Sequence, residues 1–134
     1  MATRNASSPE TQVRELLDAW TRAVRARDMD GVLARHSPDV VMFDVPPPDQ
    51  WRGIQNYRKS WELFFRHFPL DGGVFEIKEM DIAASGDLAC GYGLLRCGGS
   101  GEDGTFAVRL TVCLRRIDGA WTIVHEHHSV PAND

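Results

Sequence analysis

The sequence predicts an α+β domain, with two or three helices packed on the concave face of a curved mixed or antiparallel sheet. Three observations carry that expectation. Apolar residues recur at helical spacing in two stretches of the N-terminal half, at Val13, Leu16, Leu17, Trp20 and Val24, and at Ile54, Tyr57, Trp61 and Phe68. Beyond the Asp71-Gly72-Gly73 turn, the spacing changes to that of strands. Helices followed by a strand meander is an α+β order. The 134 residues, 43% of them apolar, suit one domain spanning 1–134 with a single core.

Each element has its own signal. Residues 1–7 are polar and expected to be flexible. Ser8 followed by Pro9 predicts a helix entry, serine as N-cap and proline at the first helical position, and the helix should run to about Arg27. Asp30 is expected to cap a short second helix, through Leu33 to His36, ended by Ser37-Pro38. Val40–Val45 reads as a strand that Pro46-Pro47-Pro48 must end, since proline has no N–H for the ladder. Gly53 opens the third helix, and either Phe64 or Phe65 completes its apolar stripe.

The remainder reads as β. Phe75 and Ile77 share one parity, Met80 and Ile82 the other, which predicts a bulge or bend near Lys78–Glu79. Ser85-Gly86-Asp87 reads as a hairpin turn. A strand from Leu88 to Cys97 follows, with Gly91 and Gly93 letting it bend. A glycine-rich loop covers Cys97–Gly104. Strands at Phe106–Ile117 and Trp121–Val130 flank a tight turn at Asp118-Gly119. A curved sheet covered by helices leaves room for a pocket at one end.

The formal net charge of -4 argues against a nucleic-acid surface. No apolar run is long enough for a membrane span, and the polar start lacks a signal-peptide core, so a cytoplasmic location is expected. Cys90, Cys97 and Cys113 are an odd set without CxxC spacing. They read as free thiols of a reducing compartment, not as a disulfide framework or a zinc site. No metal or other cofactor is expected.

Three stretches carry a resemblance that covers roughly residues 10–131. The first is Asp28-Met29-Asp30-Gly31 followed by Pro38-Asp39-Val40-Val41-Met42-Phe43-Asp44. The second is Trp51-Arg52-Gly53. The third runs Leu114-Arg115-Arg116-Ile117-Asp118-Gly119-Ala120-Trp121-Thr122-Ile123-Val124-His125-Glu126-His127-His128-Ser129. In order and spacing they resemble the NTF2-like superfamily, closest to its SnoaL-like and ketosteroid isomerase-like members. The third stretch is similar to the end of the calmodulin-dependent kinase II association domain. The resemblance implies a cone-shaped fold. It places Asp44 where the isomerases keep a general base, and His128 where the association domain has a basic side chain in its cavity. It departs from the isomerases at both oxyanion donors: Trp20 stands at the tyrosine position, and Thr111 or Cys113 at that of the protonated aspartic acid. Steroid isomerisation itself is therefore not expected.

The candidate catalytic residues are Asp44, Arg109 and His128. Asp44, at a strand end beside apolar neighbours, suits a carboxylate base. On the last strand His125 and His127 share one face, Glu126 and His128 the other. A two-residue Asp118-Gly119 turn puts Arg109 opposite His128, and Thr111 opposite Glu126. A three-residue loop puts Arg109 and Thr111 on the face of His125 and His127. The first register separates polar from apolar residues better and is preferred. Arg109, Glu126 and His128 would then hold a carboxylate or carbonyl group. Trp20, Trp51, Tyr57, Trp61, Thr111, Glu126 and His127 complete the candidate pocket, with Trp51 suited to a lid. Two functions fit. One is a cofactor-independent isomerase or cyclase acting by proton transfer on a small apolar carbonyl compound. The other is a non-catalytic domain for ligand binding or association. In both, the expected partners are a small hydrophobic or carboxylate-bearing ligand and a second copy in a homodimer, with no nucleic acid and no membrane.

Overall fold

The computed structural model describes residues 7–99 and 104–132, so the expected flexibility of the N-terminus and the tip of the glycine-rich loop lie outside the described residues. Helix α1 spans Pro9–Arg25, and the Ser8 hydroxyl accepts the Thr11 N–H at 3.1 Å as its N-cap. The second helix differs from expectation. Asp28, not Asp30, caps it, accepting from the Gly31 N–H at 3.2 Å, and α2 covers only Met29–Leu33. Arg35 then takes a left-handed conformation (φ 64°) that reverses the chain. Its carbonyl accepts from the Ile123 N–H at 2.6 Å. His36 thus begins a strand, β1 (His36–Phe43), instead of ending a helix. Pro38 is tolerated there because the ladder to the neighbouring strand is irregular between His36 and Val41.

Strand β1 ends two residues before the expected Val45. After the proline loop, Trp51–Arg52 forms a two-residue strand, β2, antiparallel to β1; it is too short to leave a sequence pattern. Gly53 (φ 85°) opens α3 as expected, but the helix, Ile54–Phe65, ends before Phe68, which was expected to continue its apolar stripe. Strands β3 (Val74–Ser85), β4 (Leu88–Gly98), β5 (Thr105–Ile117) and β6 (Ala120–Ser129) complete the fold. The sheet order is β2-β1-β6-β5-β4-β3. Among the described residues only β1 and β6 run parallel, so the sheet is mixed. Buried residues of α1 and α3 form one core with the inner faces of β3–β6. This is the α+β architecture expected.

Two bulges set the faces of the sheet. The first lies between Ile77 and Glu79 in β3, where the phase of apolar residues changes. Gly93 faces it, and a Cβ on Gly93 would collide with the Glu79 carbonyl. The second is in β6. The Asp118-Gly119 turn has the expected two residues, both at positive φ (51° and 80°), and Ile117 pairs with Ala120. Leu114 still pairs with Ile123, but Cys113 pairs with His125, leaving Val124 as the extra residue. From there on the register is displaced by one: Thr111 faces His127, Val112 faces Glu126, Leu110 faces His128 and Arg109 faces Ser129.

Candidate functional site

A cavity of about 460 Å³ opens between the β1–β2 proline loop, α3 and the inner face of the sheet. Its wall is mainly apolar, with Trp51, Trp61, Phe64, Phe75 and Val108 prominent. Asp44 and His128 are the two acid–base side chains facing one another on it: Asp44 Oδ1 lies 3.6 Å from His128 Nδ1. Asp44 stands just past the end of β1, and its Oδ1 also accepts the Val45 N–H at 2.8 Å.

Behind His128 lies a buried polar network. His128 Nε2 approaches Glu126 Oε1 at 3.0 Å. Glu126 has no solvent-exposed surface. Its Oε2 accepts the Tyr57 hydroxyl at 2.7 Å and faces His36 Nε2 at 2.5 Å. Trp20 Nε1 donates to the Tyr57 oxygen at 3.2 Å, and His36 Nδ1 faces the Ala34 carbonyl at 3.0 Å. A carbonyl only accepts, so His36 Nδ1 donates there, while Nε2 donates to the Glu126 carboxylate. Local alternation explains the arrangement. Glu126 and His128 point inward from β6, while Tyr57 and Trp61, one helical turn apart, project from α3 towards them.

Burial alone would raise the Glu126 carboxyl. The charge of His36 and hydrogen bonds from His128 and His36 outweigh it, bringing the group down from 4.5 to about 2. Burial likewise disfavours a charged His128, but the hydrogen bond and charge of Glu126, with Asp44 beyond, push it up. Tyr57 is raised well above its usual range, first by burial and then by the Glu126 charge. Cys97, also on the cavity wall, is pushed up to about 11 by burial and by Asp44. Glu126 is therefore a carboxylate that keeps the proton on His128 Nε2, leaving Nδ1 as the nitrogen that faces the cavity and Asp44.

The candidates from the sequence separate into three groups. Asp44, Trp51, Trp61 and His128 line the cavity. Tyr57, Trp20 and Glu126 lie beneath it as support. Arg109, Thr111 and His127 are on the opposite face, correcting the preferred register. The turn length was as expected, but the Val124 bulge displaces β6 by one residue, so Leu110 and Val112, not Arg109 and Thr111, sit beside His128 and Glu126. Arg109 Nε donates to Ser129 Oγ at 3.0 Å on that outer face. His36 was missed as a member of the network. Its alignment in parity with Val40 and Met42 was the available signal, hidden by the Ser37-Pro38 helix-stop reading. Among the described residues, no three His, Cys, Asp or Glu side chains gather to hold a metal ion. No described helix is long and apolar enough to cross a membrane.

Helices covering the inner face of a curved six-stranded sheet, with a pocket at one end, define a cone-shaped domain of the NTF2-like kind. The chain belongs to the SnoaL-like domain family, whose model matches residues 13–133. It is similar to an NTF2-like protein of unknown function from Pseudomonas putida KT2440, at 34% identity and a TM-score of 0.85 over 96% of this chain and 92% of that one. It also resembles in fold a candidate calcium/calmodulin-dependent protein kinase II association domain from Xanthomonas campestris (19% identity, TM-score 0.78, 99% and 95% covered). A candidate ketosteroid isomerase from Shewanella frigidimarina NCIMB 400 shares the fold at 21% identity and a TM-score of 0.70, over 86% and 92% of the chains. No curated protein matches the chain.

Proposed function

We propose that the cavity binds a small, largely apolar carbonyl compound and that Asp44 and His128 move a proton on it, as a cofactor-independent isomerase or cyclase does. The observation that carries this reading is the Asp44–His128 pair, 3.6 Å apart on a mainly apolar wall. An imidazolium whose Nε2–H is tied to Glu126 can donate its Nδ1–H to a carbonyl oxygen, stabilising the charge that develops there. Asp44, at the cavity mouth, then removes a proton from the neighbouring carbon. In this scheme His128 supplies the polarising role that the sequence had shared with Arg109. Glu126, Tyr57 and His36 act through His128 as positioning residues.

The test is a thermal-shift screen of small aromatic and alicyclic ketones and carboxylic acids, followed by turnover assays on any binder. Binding to the folded state raises stability by mass action. Asp44→Asn should keep the shift and lose turnover by roughly 10²-fold or more; full turnover in that variant refutes the proposal.

A second reading, ligand binding or association without catalysis, draws support from the outer sheet face. There Phe43 and Tyr92 are both well exposed, which suits a twofold homodimer. Light scattering at micromolar concentration tests it: a dimer lost on Tyr92→Glu supports the interface, and a monomer in the parent protein removes it.

A further inference from the structure

The outer face also carries two of the three thiols. Cys90 of β4 stands directly opposite Cys113 of β5. Opposed residues of antiparallel strands have Cα atoms roughly 4.5–5.5 Å apart, inside the range of about 4.4–6.8 Å that a disulfide spans. Both thiols are free and half-buried, and both line one largely apolar groove of about 450 Å³ with Leu88 and the bulged Val124. Partial burial, then the neighbouring Cys90, pushes the Cys113 thiol up. Cys97 is different: it is buried on the inner face, between Phe75 and Phe106 in the ladder.

We propose that Cys90 and Cys113 form a hydroperoxide-reactive dithiol site that closes reversibly to an intramolecular disulfide between β4 and β5. The Cys90 thiolate attacks one peroxide oxygen and the O–O bond breaks. Sulfur becomes a sulfenic acid, and the other oxygen leaves as hydroxide, which takes up a proton to give water. Sulfur of Cys113 then attacks the sulfenic sulfur. The S–S bond forms, the S–O bond breaks, and the leaving hydroxide takes the Cys113 thiol proton to give a second water. Two thiols are oxidised and one peroxide is reduced. The first attack is assigned to Cys90, with Cys113, directly opposite it, as the resolving thiol. Cross-strand Cβ atoms about 4.5–5.5 Å apart must close to roughly 3.5–4.5 Å in the bridge. A partly exposed bridge of this kind is one that a small thiol reductant reaches.

The experiment is thiol mapping of the full-length protein after treatment with hydrogen peroxide at stoichiometric concentration. Tryptic cleavage after Lys78, Arg96, Arg109 and Arg115 leaves Cys90, Cys97 and Cys113 on three separate peptides. The expected result is loss of two of the three thiols and a Cys90–Cys113 peptide pair lighter by two hydrogen atoms. Cys97 should remain alkylatable after unfolding, and dithiothreitol should restore the other two. Cys90→Ser should abolish the linked pair, and Cys113→Ser should leave Cys90 trapped as a sulfenic acid that dimedone labels. Retention of all three thiols, over-oxidation of Cys90 without the linked pair, or disulfides only between chains would each overturn the proposal, and each is read on the unmutated protein.

Discussion

Replacing Glu126 with Gln tests the central structural claim, that a fully buried carboxylate organises this end of the fold. The change keeps size and shape but removes the charge that His36, Tyr57 and His128 all address. Removing one partner of a buried ion pair costs about 3–5 kcal/mol. The shift of Glu126 from 4.5 to about 2 gives an independent figure. At about 1.4 kcal/mol per pKa unit, it corresponds to roughly 3.5 kcal/mol of stability at neutral pH. The two agree. For 134 residues, the usual unfolding entropy turns 3–5 kcal/mol into a Tm lower by roughly 10–18 °C. Urea denaturation followed by tryptophan fluorescence and far-UV circular dichroism measures it, with the slope m unchanged if only stability has altered. The exposed Arg58–Glu62 pair is the control, and Glu62→Ala should cost less than about 1 kcal/mol. A Glu126→Gln protein that loses no more than this control would refute the network as an organising element.

Three further outcomes follow from the same geometry. Stability should depend on pH from both sides. The contribution of Glu126, whose carboxyl is lowered, is present above about pH 4.5 and is lost as pH falls towards 2. The contribution of His128, whose pKa is raised, is complete below 6.5 and is lost as pH rises through its higher folded value. A plateau of stability should therefore lie between the two ordinary values, and its alkaline edge should vanish in His128→Gln. Gly93→Ala should destabilise by about 3 kcal/mol or more, because the added methyl meets the Glu79 carbonyl at the β3 bulge; chemical denaturation reads it, and a neutral result would contradict the bulge. Arg109→Ala should leave both ligand binding in the thermal-shift screen and stability unchanged to within about 0.5 kcal/mol, since Arg109 is exposed and its side chain donates to Ser129 on the outer face. Lost binding would return it to the pocket.

Much of the domain was determined by signals that act over a few residues. The Ser8-Pro9 entry, the stripes of α1 and α3, the Asp118-Gly119 turn and the phase change at Lys78 are local, because helix and strand periodicity are properties of the chain itself. Alternation along β6 likewise separated Glu126 and His128 from His125 and His127 without reference to another strand. Tertiary structure decided what those residues meet. The Val124 bulge moves β6 by one position against β5, and one position exchanges every partner between faces. Arg109 and Thr111 therefore lie outside, and nothing in the residues around Val124 announces the bulge. His36 and Glu126 are 90 residues apart in the chain. Their contact exists only because Arg35 reverses the backbone and β1 returns parallel to β6. Local propensity cannot report such a contact, since the energy that selects it comes from satisfying a buried charge after the sheet has assembled.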